Sequence, residues 1–173
     1  MSDALEVGDR APGFDLPAVY GYKSGEASPS AEEKVTVRLK DFLDKKWVVL
    51  CFYAQDSSPE DTRLMVSFNE WNRKFKTREV ALLGCSWNGV NSHRQFIEVY
   101  QMGFTLLADE YKKTTELYGV IKEEDDLDQR VKVIERSTFV IDKTGMIRGI
   151  WRNLQDLREH PREIWGFIQK EKK

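Results

Sequence analysis

Disulfide and metal chemistry have little to work with in this sequence. Its 173 residues include two cysteines, Cys51 and Cys85, and two histidines, His93 and His160. Two cysteines are too few for a disulfide-stapled secreted scaffold, and too few for a zinc site built on cysteine alone. The histidines are not at metal-ligand spacing, so neither a metal nor another cofactor is expected. Charge of one sign is lacking too: 27 Lys and Arg face 29 Asp and Glu, a net charge of −2. That balance argues against nucleic acid or an anionic membrane as the main partner. No window approaches the roughly 20 apolar residues of a membrane span. The opening MSDALEVGDR has no apolar signal-peptide core. The expected compartment is therefore the cytoplasm, or an equivalent reducing one such as an organelle stroma.

What the chain does hold is an ordinary globular composition, 40% hydrophobic and 32% charged. Such a length and composition predict one domain over residues 1–173 with a real core. The near-continuous apolar runs Trp47 to Tyr53 and Val80 to Cys85 read as central parallel strands buried on both faces. Val35 to Leu39 alternates and reads as a strand. Val133 to Ile141 and Met146 to Trp151 read as a hairpin around Asp142-Lys143-Thr144-Gly145, and Thr105 to Leu107 as a short edge strand. Helices are expected over Ser58 to Lys76, with Met65, Phe68, Trp71 and Phe75 on one face, and over Ser92 to Gln101, with a Ser92–Gln95 capping box. A last helix is expected from near Pro161. Residues 7–14 look irregular, and residues 21–34 and 121–132 read as polar surface loops. Strand and helix in alternation, then a hairpin and a closing helix, is the order of a thioredoxin-type α/β fold: a central mixed sheet flanked by helices.

Several stretches carry a specific resemblance. Val7-Gly8-Asp9-Arg10-Ala11-Pro12-Gly13-Phe14, Leu39-Lys40-Asp41-Phe42 with the run to Tyr53, and Leu83-Gly84-Cys85-Ser86 with Ser92-His93-Arg94-Gln95-Phe96 are similar to peroxiredoxin sequences. So are Phe104 to Asp109, Tyr118-Gly119-Val120, and Arg136 to Asp142 followed by Gly145-Met146-Ile147. The order is kept from about residue 5 to residue 152, and the loop lengths resemble the bacterioferritin-comigratory-protein subgroup. The resemblance implies a thioredoxin-like fold of peroxiredoxin type and a thiol-dependent, antioxidant oxidoreductase.

One segment departs from the family pattern. The peroxiredoxin motif Pro-x-x-x-Thr-x-x-Cys places a cysteine in the first turn of a helix, where the helix dipole and an arginine lower its pKa. The matching segment here is Ala54-Gln55-Asp56-Ser57-Ser58-Pro59-Glu60-Asp61. Ala54 takes the place of the proline, Ser58 that of the threonine and Asp61 that of the peroxide-reducing cysteine. Val66 stands where the subgroup often has its resolving cysteine. Arg136 matches the arginine. A carboxylate is a weak nucleophile toward peroxide oxygen and has no sulfenate-like state, so it cannot replace the thiolate.

Two kinds of reading follow. Ser58-Pro59-Glu60-Asp61 is also a good helix start: an N-cap, a proline at the first position and acidic first-turn residues. Asp61 is thus expected to serve the helix and to pair with Arg136, in a catalytically degenerate protein that acts in binding, assembly or regulation. A protein partner or larger complex is then expected, and the resemblance implies homodimerisation. The alternative is a thiol peroxidase that uses a relocated cysteine, Cys85, at the carboxyl end of its strand. A further reading has Ser58, Asp61 and Arg136 holding a small polar molecule, for which an unpaired Arg136 is the condition. Cys51 and Cys85 are otherwise both expected to be buried, inert thiols, and a Cys51–Cys85 disulfide is conceivable because their strands are expected to be neighbours. His93 reads as a local hydrogen-bonding residue, Trp87 as either a partner contact or a loop plug. The run Glu123-Glu124-Asp125-Asp126 reads as a solvated loop.

Overall fold

The computed structural model describes residues 4–23 and 35–172. Its frame is a seven-stranded sheet in the order β2-β1-β5-β4-β3-β8-β9. Three parallel strands form its centre: β3 (Trp47–Phe52), β4 (Val80–Ser86) and β5 (Thr105–Ala108). On one side lie the antiparallel strands β1 (Asp15–Val19) and β2 (Val35–Arg38), and on the other β8 (Ser137–Ile141) and β9 (Ile147–Trp151).

The apolar runs behave as central strands must. Every residue of β3 is buried. Val49 and Cys51 face one core with Leu64, Met65, Phe68 and Phe75 of helix α1 (Pro59–Thr77) and Ile164 and Ile168 of helix α4 (His160–Glu171). Val48, Leu50 and Phe52 face a second core with Phe14, Leu16, Tyr118 and Ile147. Each such buried side chain contributes about 1.5–3 kcal/mol. Helix α2 (Val90–Tyr100) joins the first core through Phe96 and Ile97. No helix among the described residues is long and apolar enough to cross a membrane.

Several elements differ from the sequence expectation. Thr105–Ala108 is an interior strand, because β1 runs along its other side with Ala18 opposite Leu107. β1 itself lacks a clear signal, since Pro17 interrupts it. That proline lies outside the short stretch, Ala18–Val19, that pairs with β5. The expected strand Val133–Ile141 is broken at Glu135-Arg136, whose backbone turns to other partners: Glu135 N–H donates to Val120 O and Leu154 N–H to Arg136 O. The break separates β7 (Gln129–Ile134) from β8 and leaves Arg136 at the rim of the sheet.

The expected 121–132 loop is a hairpin of β6 (Ile121–Asp126) and β7. Its opposite charges pair, with Arg130 meeting Glu123 and Asp125. A short helix, α3 (Lys113–Leu117), follows β5. α2 starts at Val90 after Gly89, without the expected side-chain cap, because the Ser92 hydroxyl is turned to Asp56. The β8–β9 turn forms as expected. Gly145 takes φ 86°, and the Asp142 carboxylate accepts from Thr144 and Met146 N–H. Of the loop expected over residues 21–34, residues 24–34 lie outside the described residues.

Candidate active site at the start of the first long helix

β3 ends at Phe52, and the chain reaches α1 through residues 53–58. Ser57 takes φ 65° in this turn, a left-handed conformation that is uncommon for a residue with a Cβ. Ser58 then caps α1, its Oγ accepting from Asp61 N–H at 3.2 Å, with Pro59 in the first turn. Ser58 and Asp61 make only one of the two bonds of a capping box. The Asp61 carboxylate does not return to the Ser58 N–H but turns to the loop behind it.

There it is saturated with donors. Asp61 Oδ1 accepts from Ala54 N–H at 3.2 Å and from Arg136 Nε at 2.8 Å. Oδ2 accepts from Gln55 N–H at 3.1 Å, Ser58 Oγ at 2.5 Å and Arg136 Nη2 at 3.2 Å. The Asp61 side chain is 0% exposed and that of Arg136 27%. Arg136 approaches in the side-on, two-point geometry that makes guanidinium–carboxylate pairs strong. Its pKa is raised further by the hydrogen bond to Asp61. The positive end of α1 adds to the field on the carboxylate. Ser58, Asp61 and Arg136 therefore lie together, and the unpaired Arg136 required for small-molecule binding is absent. A cavity of about 700 Å³ lies elsewhere, between β1, β2 and α2, with none of these three residues in its lining.

The two thiols are both free and both buried. Burial pushes Cys51 up to about 12, against a smaller opposing hydrogen bond with Thr138. Burial also raises Cys85 well above the ordinary thiol range, with the Asp109 carboxylate adding to the effect. The conceivable Cys51–Cys85 disulfide is not formed. Cys51 stands opposite Gly84, one step out of register with Cys85, and the side chains enter the two different cores on opposite faces of the sheet. Trp87 is half-buried against the second core: its Nε1 donates to Thr115 Oγ1 at 2.9 Å, and Lys112 Nζ lies 4.1 Å from its ring centroid.

A second buried polar cluster adjoins the first and was not anticipated. Asp56 accepts from Tyr53 Oη at 2.5 Å and Ser92 Oγ at 2.8 Å, and meets His93 Nδ1 at 2.7 Å. His93 Nε2 lies 2.8 Å from Leu107 O. Both His93 and Asp56 are buried. Among the described residues no group of three His, Cys, Asp or Glu could hold a metal ion.

A mixed sheet with a long helix starting straight after its first central parallel strand, and an arginine facing that helix start, defines a thioredoxin-like protein of peroxiredoxin type. The chain belongs to the AhpC/TSA family, whose pattern matches residues 7–150. It is 30% identical over 159 residues to peroxiredoxin Bcp of Bacillus subtilis, 92% of each chain. The crystal structure of a cysteine-to-serine mutant of Xylella fastidiosa PrxQ superposes with a TM-score of 0.84 at 25% identity, covering 99% of this chain and 100% of that one. The bacterioferritin comigratory protein of Xanthomonas campestris, described by its alkyl peroxide reduction activity, superposes with a TM-score of 0.77 at 26% identity, covering 91% and 92%.

Proposed function

We propose that Asp61 occupies the position of the family's peroxide-reducing cysteine, and that peroxide reduction does not run at the start of α1 in this chain. The observation that supports this is the saturated carboxylate. Five donors converge on Asp61, and Arg136 is among them. In a peroxide-reducing site, donors of this kind would polarise the O–O bond while a thiolate attacks one oxygen. Here they are taken by the protein's own side chain. A carboxylate offers no sulfenic acid for a thiol to reduce.

A second reading rests on the relatives, which are peroxiredoxins by name. They favour a thiol peroxidase and give a binding or assembly role no support. In this chain that activity would run at Cys85. Its thiolate would attack a hydroperoxide, breaking the O–O bond to give the sulfenic acid and an alcohol or water, and an added dithiol would return the sulfenic acid to the thiol, leaving its own disulfide and water. The burial of Cys85 counts against it.

Peroxide consumption with dithiothreitol as the reductant separates the two. The first reading expects no rate above that of buffer. A rate that Cys85→Ser abolishes would establish the second.

A further inference from the structure

The Asp56–His93 pair is buried beside the loop whose amides hold Asp61. Its members and their partners come from four places in the fold. Tyr53 and Asp56 sit in the loop between β3 and α1, and Ser92 and His93 stand in the first turn of α2. Leu107 O belongs to β5, and Asn88 Oδ1, which takes the Asp56 N–H at 2.8 Å, follows β4.

The protons in this cluster are set by what each ring nitrogen faces. Leu107 O can only accept, so His93 Nε2 carries a proton and donates it. The 2.7 Å contact from Nδ1 to a carboxylate oxygen also needs a proton between the two atoms. The two contacts tie Asp56 to α2 and β5. Asp56 is next in the chain to Gln55, whose N–H, with that of Ala54, donates to Asp61.

We propose that Asp56 and His93 are positioning residues for the Asp61 site: by anchoring the 54–56 loop to α2 and β5 they hold the Ala54 and Gln55 amides against the carboxylate. This rests on the reading of Asp61 given above. Three consecutive N–H groups are fixed by two different anchors, Asp61 for residues 54 and 55 and Asn88 for residue 56. The Asp56 side chain then fixes where the loop as a whole lies. Tyr53 adds a longer contact to α2, its Oη 3.4 Å from His93 Nδ1, and its ring packs against Phe96.

Backbone amide exchange by NMR tests the proposal, with Asp56→Asn and Ser92→Ala as the variants. The expected result is that exchange at Ala54 and Gln55 speeds up by about ten-fold or more in Asp56→Asn, and less in Ser92→Ala, while Val49 and Leu83 in the central strands change far less. In the wild-type chain the His93 ring is expected to show a protonated Nε2 and a proton shared between Nδ1 and Asp56. A bare Nε2 would overturn the assignment even where a variant fails to fold. Equal acceleration at every site would reduce the pair to a general stabiliser and overturn the positioning role, as would unchanged protection of Ala54 and Gln55. If those two amides exchange freely in the wild-type chain, it is the Asp61 cradle that fails rather than the anchor.

Discussion

Arg136 grips Asp61 side-on, Nε to Oδ1 at 2.8 Å and Nη2 to Oδ2 at 3.2 Å, across a gap of 75 residues in sequence. The two partners are not equally placed. Asp61 is fully buried, while about a quarter of Arg136 reaches solvent, 27% by exposure. An arginine left alone there can turn to water; an aspartate left alone cannot.

Removing either partner therefore has unequal effects. Arg136→Met is expected to destabilise the fold by roughly 3–5 kcal/mol, since it strands a buried carboxylate. Asp61→Asn is expected to cost less, about 2 kcal/mol, because the guanidinium left behind is partly hydrated. Urea unfolding of both variants checks this. Equal losses, or a larger one for Asp61→Asn, would contradict the asymmetry.

Asp61→Cys is expected to create a reactive thiol. The new side chain would stand in the first turn of α1, beside Arg136 and the Ala54 and Gln55 amides, all of which favour the thiolate. Iodoacetamide should alkylate position 61 at neutral pH while Cys51 and Cys85 stay unmodified. Failure of the thiol at 61 to react faster than a free cysteine would mean that the surroundings do not act as a thiolate site.

Stability should fall in mild acid because of His160. Its ring is buried, with Nε2 at 2.8 Å from Thr138 Oγ1, and burial lowers its pKa from 6.5 to about 4. A depressed histidine pKa means the unfolded chain binds the proton first. The contribution is complete above pH 6.5 and is lost as the pH falls toward about 4. The shift corresponds to roughly 3 kcal/mol. Unfolding free energies measured between pH 7 and pH 4 should show this slope, and His160→Gln should flatten it. An unchanged slope in the variant would assign the loss to other groups.

Much of this was legible in the residues. The buried strands Trp47–Phe52 and Val80–Ser86 and the helix from Pro59 announced themselves through unbroken apolar runs and a Ser-Pro start. Ser58, Asp61 and Arg136 could be placed together from the family resemblance. The rest lacked a local signal. β1 is masked by Pro17, and the β6–β7 hairpin by its charges, which pair across the strands rather than facing a core. The Asp56–His93 contact joins residues 37 apart, and a histidine at the start of a helix gives no sign of which carboxylate it will meet. The opposed faces of Cys51 and Cys85 depend on a one-residue register between two parallel strands. A buried apolar run does not specify that register, because it is apolar on both sides.

The most direct test of the central claim is intact-mass spectrometry after brief exposure to stoichiometric hydrogen peroxide, with peptide mapping of both cysteines. Two thiols held inside the two cores, with their pKa values raised by burial, are expected to remain unmodified on this timescale. Rapid addition of one oxygen at Cys85, reversed by a thiol, would contradict the account and establish a relocated peroxidase.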